Sequence, residues 1–200
     1  QADPFLIEKD DKLYVFYEAF SFRNSKGTLR CRILDSELIE IDDVKLEGFD
    51  DLMCHLSFPF LININDQLFM IPESSERKEV ILFQSVEFPT RWKKIKVLIS
   101  DTEVTDNIFL SMNETCYLMS TTMDNKIIIH SAEHLHGQWQ RITPALKVSN
   151  HHHRGAGAPY LVDNKMYFLT QECTPETYGK SIYIKELVTL NDATFDENLI

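Results

Sequence analysis

Asp3, Glu18, Glu73, Asp106 and Glu172 are carboxylates that fall at recurring places along the chain. Asp3 opens the run Asp3-Pro4-Phe5-Leu6 and Asp106 opens Asp106-Asn107-Ile108-Phe109, whereas the corresponding runs at Phe58 and Ala158 begin without an acid. At the end of the strand that follows each opening stand Glu18, Glu73, Thr121 and Gln171, with Glu172 adjacent to the last. Two carboxyl groups in one pocket can carry glycosidic chemistry, one exchanging a proton while the other attacks or activates water. Like charges sharing a pocket raise one pKa, which keeps one acid neutral near pH 7. Asp-Pro and Asp-Asn also simply begin a strand after a turn, and the sequence leaves both readings open.

Other polar residues cluster around the openings. His55 and Ser57 precede the second one, and by alternation they point the same way if that strand extends backwards. Arg154 precedes the fourth and offers a fixed positive charge. It either anchors a carboxylate, phosphate or sulfate group on a ligand or neutralises nearby carboxylates. Gln171 and Tyr178 complete the ligand-binding candidates, Tyr178 as a stacking face for a sugar ring. Neighbouring residues of an extended strand point in opposite directions, so His151, His152 and His153 do not converge easily on one metal. A solvated loop is expected there, with His153 the member facing the site. No metal site is assigned, no cofactor is indicated, and a central divalent cation is left open. The glycine-containing stretch Arg154-Gly155-Ala156-Gly157 lacks the Lys-Ser/Thr of a phosphate loop, which argues against a nucleotide. Asn113-Glu114-Thr115 matches a glycosylation acceptor but sits in a predicted hairpin turn. The acidic stretch Asn191–Glu197 reads as solvated surface.

The elements that must position these residues are strands. Period-2 runs rich in Val, Ile, Phe and Tyr, such as FLIEKDDKLYVFYE and FLININDQLFMIPE, recur between Asn/Asp/Lys turn clusters. An aromatic follows each hairpin turn in register, at Tyr14, Phe69, Tyr117 and Tyr167, at steps of 55, 48 and 50 residues. A second marker, Glu87-Phe88-Pro89 leading to Trp92, recurs 47 residues later where Ser131 to Gly137 lead to Trp139. A period of roughly 40–50 residues holding about four short strands is the signature of propeller blades. The expectation is an all-β chain, a β-propeller with repeats at about 1–54, 55–104, 105–153 and 154–200; a β-sandwich with similar hairpins is the alternative. In a propeller the starts of the inner strands converge on a central channel, so the openings are where chemistry would gather.

The chain has 200 residues and a formal net charge of −11, from 20 Lys plus Arg against 31 Asp plus Glu. That balance argues against nucleic acid or an anionic membrane surface, both of which need a basic face, and leaves neutral, sugar-like or cationic partners. No apolar run approaches the roughly 18–20 residues of a membrane span. Cys31, Cys54, Cys116 and Cys173 show no C-x-x-C spacing and are expected to be reduced thiols, mostly buried. With no secretion signal at the start, a cytoplasmic location is expected, and the opening at Gln1 suggests a piece of a longer protein.

The run ADPFLIEKDDKLYVFYE resembles the first-blade motif of the five-bladed clan of arabinanases, β-xylosidases, invertases and levansucrases. The resemblance implies that Asp3 would be the catalytic base or nucleophile. HLSFPFLI, MIPES, EFPTRW, TDNIFL, RGAGAPYL, QEC and YG, in that order over roughly residues 2–185, resemble the propeller domain found N-terminal in glucosamine inositolphosphorylceramide transferases. That branch implies five blades, of which about four are present here, and a saccharide or glycoconjugate partner. It also implies covalent continuation into further domains, transfer being attributed to a separate C-terminal one. Asp106 could match the clan's second conserved Asp, but its acid Glu corresponds to Gly157 here. The Q-E-C to Tyr178-Gly179 spacing is one residue longer than in the branch. Recognition of a carbohydrate is therefore the leading expectation. The alternatives are hydrolysis, with Asp3 as base, Asp106 as modulator and Glu73 or Glu172 as acid, and a protein-interaction propeller.

Overall fold

The turns explain the repeats. Each of four hairpins turns through two residues of left-handed backbone: Asp10-Asp11, Asn65-Asp66, Asn113-Glu114 and Asp163-Asn164, with φ between 49° and 63°. Asp and Asn tolerate that region, and a turn with two such residues matches the twist of the flanking strands. The turns set identical registers, pairing Ile7 with Tyr14, Ile62 with Phe69, Leu110 with Tyr117 and Tyr160 with Tyr167. The four aromatics picked out by their spacing thus occupy one structural position.

The computed structural model describes residues 1–148, 152–174 and 177–200. His151 lies outside the described residues, as do two residues between the Q-E-C motif and Tyr178. The chain divides into two compact units, Gln1–Glu103 and Val104–Ile200, each holding two of the expected repeats.

The first unit contains two four-stranded antiparallel meanders. One is β1 (Ala2–Lys9), β2 (Lys12–Ser21), β3 (Lys26–Leu34) and β4 (Glu40–Lys45). The other is β5 (Ser57–Ile64), β6 (Gln67–Glu73), β7 (Val80–Glu87) and β8 (Arg91–Ile99). One meander cannot bury its apolar face alone, so the two pack through aromatics. Phe5 meets Phe58 edge-on at 4.9 Å, Tyr14 meets Phe88 at 4.5 Å and Phe16 meets Trp92 at 5.9 Å. Short 3-10 turns at Asp50–Leu52 and Ser75–Arg77 fill the loops. Among the described residues, no helix is long and apolar enough to cross a membrane.

The second unit begins with the meander β9 (Thr105–Met112), β10 (Thr115–Thr121), β11 (Ile127–Ala132) and β12 (Gln140–Ile142). Its other sheet is built from β13 (Ala145–Lys147), β14 (Arg154–Gly155), β15 (Tyr160–Val162), β16 (Lys165–Cys173), β17 (Tyr178–Leu190) and β18 (Thr194–Leu199). Both tryptophans close equivalent turns, the Trp92 indole N–H donating to the Pro89 carbonyl at 2.9 Å and that of Trp139 to Leu135 at 3.1 Å.

Two expectations are corrected here. Ala145–Lys147, assigned to the third repeat, pairs in parallel with β18 and so belongs to the fourth sheet. Asn191–Glu197, read as solvated surface, runs into β18, where Phe195 is fully buried and Glu197 almost so. The acid is tolerated inside because Lys185, also fully buried, meets it at 2.7 Å.

Candidate functional site

The expected site residues fall into two groups, one in each unit. In the first unit Ala2 pairs with Glu18 and Ser57 with Glu73, so both acids stand at the ladder position beside an opening residue. The opening residues are unusual. Asp3 and Phe58 have φ of 52° and 43°, and the strand registers slip there, between Ala2 and Phe5 and between Ser57 and Phe60. Such bulges re-aim side chains and are over-represented beside active sites. The Asp3 Oδ2 accepts the Phe58 backbone N–H at 3.3 Å, which ties the two openings together.

Glu18 and Glu73 are buried and Asp3 is half-buried. Burial pushes the Glu18 carboxyl above the usual range; His55 opposes this, and the nearby Asp3 and Glu73 charges reinforce it. The Glu18 carboxyl is therefore shifted toward its protonated form. Glu73 accepts the Ser75 hydroxyl at 3.3 Å.

His55 does not follow the alternation expected of it. β5 begins at Ser57, so His55 lies in the preceding loop. There its Nδ1 accepts the Gly27 backbone N–H at 2.9 Å and its Nε2 stands 3.4 Å from Glu18 Oε1. An Nδ1 that accepts leaves the proton of the neutral ring on Nε2, aimed at Glu18. Gly27 makes this approach feasible, since a Cβ there would lie 2.5 Å from the Leu56 carbonyl and press on Glu18.

In the second unit Asp106, with φ 48°, repeats the strained opening. Arg154 reaches it from β14, Nε to Oδ2 at 2.5 Å, and its guanidinium lies 5.0 Å from the Tyr178 ring centre. Asp106 is 3% exposed, so this positive charge answers a buried negative one. Gly155 permits the contact, because a Cβ would sit 2.8 Å from the Asp106 carbonyl. Gln171, opposite Arg154 in the ladder, donates to the Gly155 carbonyl at 2.9 Å. Beside the pair, buried Ser120 donates to Asn107 Oδ1 at 2.7 Å, and Thr121 donates to the His153 carbonyl at 2.9 Å.

The side chains of two other candidates, Glu172 and His153, are engaged away from the Asp106–Arg154 pair. Glu172 accepts the Tyr183 hydroxyl at 3.1 Å and faces Lys180 at 3.8 Å, so its carboxylate is already engaged. The His153 ring turns to buried Lys185, with Nδ1 at 3.4 Å from Nζ. Tyr178 is 68% exposed, which leaves ring surface accessible beside Arg154. Among the described residues, no three His, Cys, Asp or Glu side chains are placed to hold a metal ion. The four cysteines are unpaired; Cys31 and Cys116 are buried, and Cys54 and Cys173 are half-buried.

Two aromatic residues were missed in the sequence. Tyr14, Phe16, Glu18 and Phe20 alternate along one face of β2, and Phe22 follows at the turn. The continued alternation was the available signal. Phe20 contacts both Phe22, at 5.2 Å, and the His55 ring, at 6.0 Å.

The family profile described as "Glucosamine inositolphosphorylceramide transferase 1, N-terminal" matches residues 1–200. Glucosamine inositolphosphorylceramide transferase 1 of Arabidopsis thaliana is 28% identical over 208 residues, covering 98% of this chain and 26% of the relative. The chain thus spans about a quarter of the length of that relative. Among solved structures, the exo-β-1,3-galactanase of Phanerochaete chrysosporium is similar with a TM-score of 0.73 at 10% identity, over 96% of this chain and 47% of that one. An α-L-arabinanase of Cellvibrio cellulosa is similar with a TM-score of 0.63 at 12% identity, over 98% of this chain and 76% of that one. At such identities the likeness concerns the fold alone. It is all-β and of the β-propeller class, with four blades in this chain.

Proposed function

Because the chain belongs to the family of N-terminal domains of glucosamine inositolphosphorylceramide transferase 1, we propose that it is a carbohydrate-recognising domain of a larger glycoconjugate-processing protein. The observation that carries this reading is the placing of Asp3, Glu73 and His55 around the buried Glu18 carboxyl. Burying a carboxyl beside like charges costs stability, and such groups mark candidate functional sites. Such a group supplies acceptors for sugar hydroxyls, with the His55 Nε2 proton as a donor. In the second unit Arg154, laid against Tyr178, would hold an anionic substituent such as a phosphate, although Asp106 already claims part of its charge. A five-bladed ring and a cytoplasmic setting are parts of the same proposal. They rest on the clan resemblance and on the unpaired thiols.

The test is a glycan-array screen of the full-length protein followed by calorimetry, with Asp3→Asn as the variant. Recognition through this site predicts saccharide binding that weakens tenfold or more in the variant. Absence of binding to any saccharide, or a variant indistinguishable from the wild type, overturns the reading.

A second reading, glycoside hydrolysis, is favoured by one observation: the Glu18 carboxyl is shifted toward the protonated form beside Asp3. Gly157 stands where the clan's acid would be, and Glu172 is engaged by Tyr183 and Lys180. Hydrolysis would thus depend on Glu18 or Glu73 as the acid, with Asp3 as base or nucleophile. Release of aryl alcohol from aryl glycosides, abolished by Glu18→Gln, is its test.

A further inference from the structure

One face of β2 changes character along its length. Tyr14 and Phe16 are buried against Phe88 and Trp92, Glu18 is 8% exposed beside His55, Phe20 is 41% exposed and Phe22 is 92% exposed. The last two rings meet edge-on at 5.2 Å, and Phe20 also touches the His55 ring. Packing explains the first half of this face. It does not explain the second, where two large apolar rings are held together in water immediately beside a group of carboxylates.

We propose that Phe20 and Phe22 form a stacking platform for the apolar face of a neutral hexopyranose ring, whose hydroxyls turn to His55 and Glu18. The assignment rests on the recognition reading above and names residues and a ligand class for it. The argument is one of complementarity. A pyranose has an apolar C–H face, which suits an aromatic ring, and a hydroxyl rim, which suits polar neighbours. Phe22 supplies a ring accessible on nearly all sides. Glu18 supplies acceptor oxygens, and the His55 Nε2 proton a donor, directly beyond Phe20.

Charge narrows the occupant. The Asp3 and Glu73 charges act on Glu18, so a uronic acid whose rim faced Glu18 would bring its carboxylate to an acidic group. Like charges at such range disfavour binding. The platform is therefore a subsite for uncharged sugars, and an anionic group of a larger glycoconjugate must lie elsewhere.

The experiment uses the full-length protein and saturation-transfer NMR with methyl glycosides of glucose, galactose, mannose, N-acetylglucosamine and glucuronic acid. Phe22 is almost wholly exposed, so Phe22→Ala leaves the fold unchanged, and Phe22→Trp retains the stacking surface. The expected result is binding of at least one neutral glycoside. It weakens tenfold or more in Phe22→Ala and survives in Phe22→Trp, with the glucuronide bound at least tenfold more weakly than the glucoside. Binding that Asp3→Asn removes and Phe22→Ala leaves intact overturns the platform while sparing the recognition reading. No neutral glycoside bound by the wild type overturns the platform too, and if the glycan array is also silent the recognition reading falls with it. A glucuronide bound as well as the glucoside overturns the charge selection.

Discussion

His130 lies on β11, 5% exposed, across the ladder from Leu118 on one side and Arg141 on the other. Its Nδ1 makes no hydrogen bond within the described protein. Burial, with a smaller contribution from the Arg141 charge, lowers its pKa from 6.5 to about 4. The imidazole is thus neutral in the folded state at pH 7, whereas in the unfolded chain it takes up a proton as the pH falls through 6.5. With the folded value below the unfolded one, the unfolded state binds more protons between the two. Stability from this residue is complete above about pH 6.5 and is lost as the pH falls toward 4. The linkage integral gives a loss of about 2 kcal/mol by pH 5 and about 3 kcal/mol by pH 4. His130→Leu removes this dependence and also the buried nitrogen that lacks a partner, so at pH 7 the variant is expected to be at least as stable as the wild type. The assay is urea unfolding between pH 8 and pH 4, followed through Trp139, which contacts Phe109 in the same sheet at 6.5 Å. Other groups, Glu18 among them, titrate in both proteins, so their contributions cancel in the difference. A difference between variant and wild type that stays flat across this range would refute the reasoning.

Lys185→Met alone leaves Glu197 buried without its cation and is expected to cost about 3–5 kcal/mol; Lys185→Met with Glu197→Leu recovers most of that. Additive losses in urea unfolding would show that the pair is not what holds β17 to β18. Gly155→Ala places a Cβ 2.8 Å from the Asp106 carbonyl, which is backbone and yields little. A destabilisation of about 1–3 kcal/mol is expected, and an unchanged unfolding midpoint would show that the contact is loose.

The repeats were legible because their markers are set by local chemistry. Asp and Asn at paired turn positions force left-handed backbone, the turn forces the register, and the register carries Tyr14, Phe69, Tyr117 and Tyr167 to one place. The tryptophans were legible for a similar reason, since each indole closes its own turn. What escaped depends on partners distant in sequence. Glu197 reads as solvated until Lys185 is seen against it. His55 cannot be aimed by alternation, because its direction is set by Gly27, 28 residues away. The pairing of Arg154 with Asp106 requires a bare backbone at Gly155, which no periodicity announces. Phe20 and Phe22 look like core residues in a hydrophobic run, and only their position at the uncovered end of β2 exposes them.

The opening position shows why residue type and site are hard to separate. Asp3, Phe58 and Asp106 adopt left-handed backbone, which costs a side-chain-bearing residue of order 1 kcal/mol or more. Asp is among the residues that tolerate that region best, and the Asp3 carboxylate separately ties the first opening to the second by accepting the Phe58 N–H. Phe58 lacks that tolerance; besides the bond its N–H donates to Asp3, its ring packs against Phe5 and Phe60. In the fourth sheet the opening is divided into β14 and β15, with Gly157 at φ 150° between them, and it is there that Arg154 enters. An acid at an opening can therefore be present for the backbone, for a ligand, or for both. Alanine at Asp3 would remove both roles at once, since it relieves the charge and strains the bulge. Asparagine tolerates the left-handed region as well as aspartate does and keeps an oxygen for the Phe58 amide, so Asp3→Asn isolates the charge. A loss of saccharide binding in that variant with an unchanged unfolding transition assigns Asp3 to the ligand. An unfolding transition that drops while binding per folded molecule holds assigns it to the bulge.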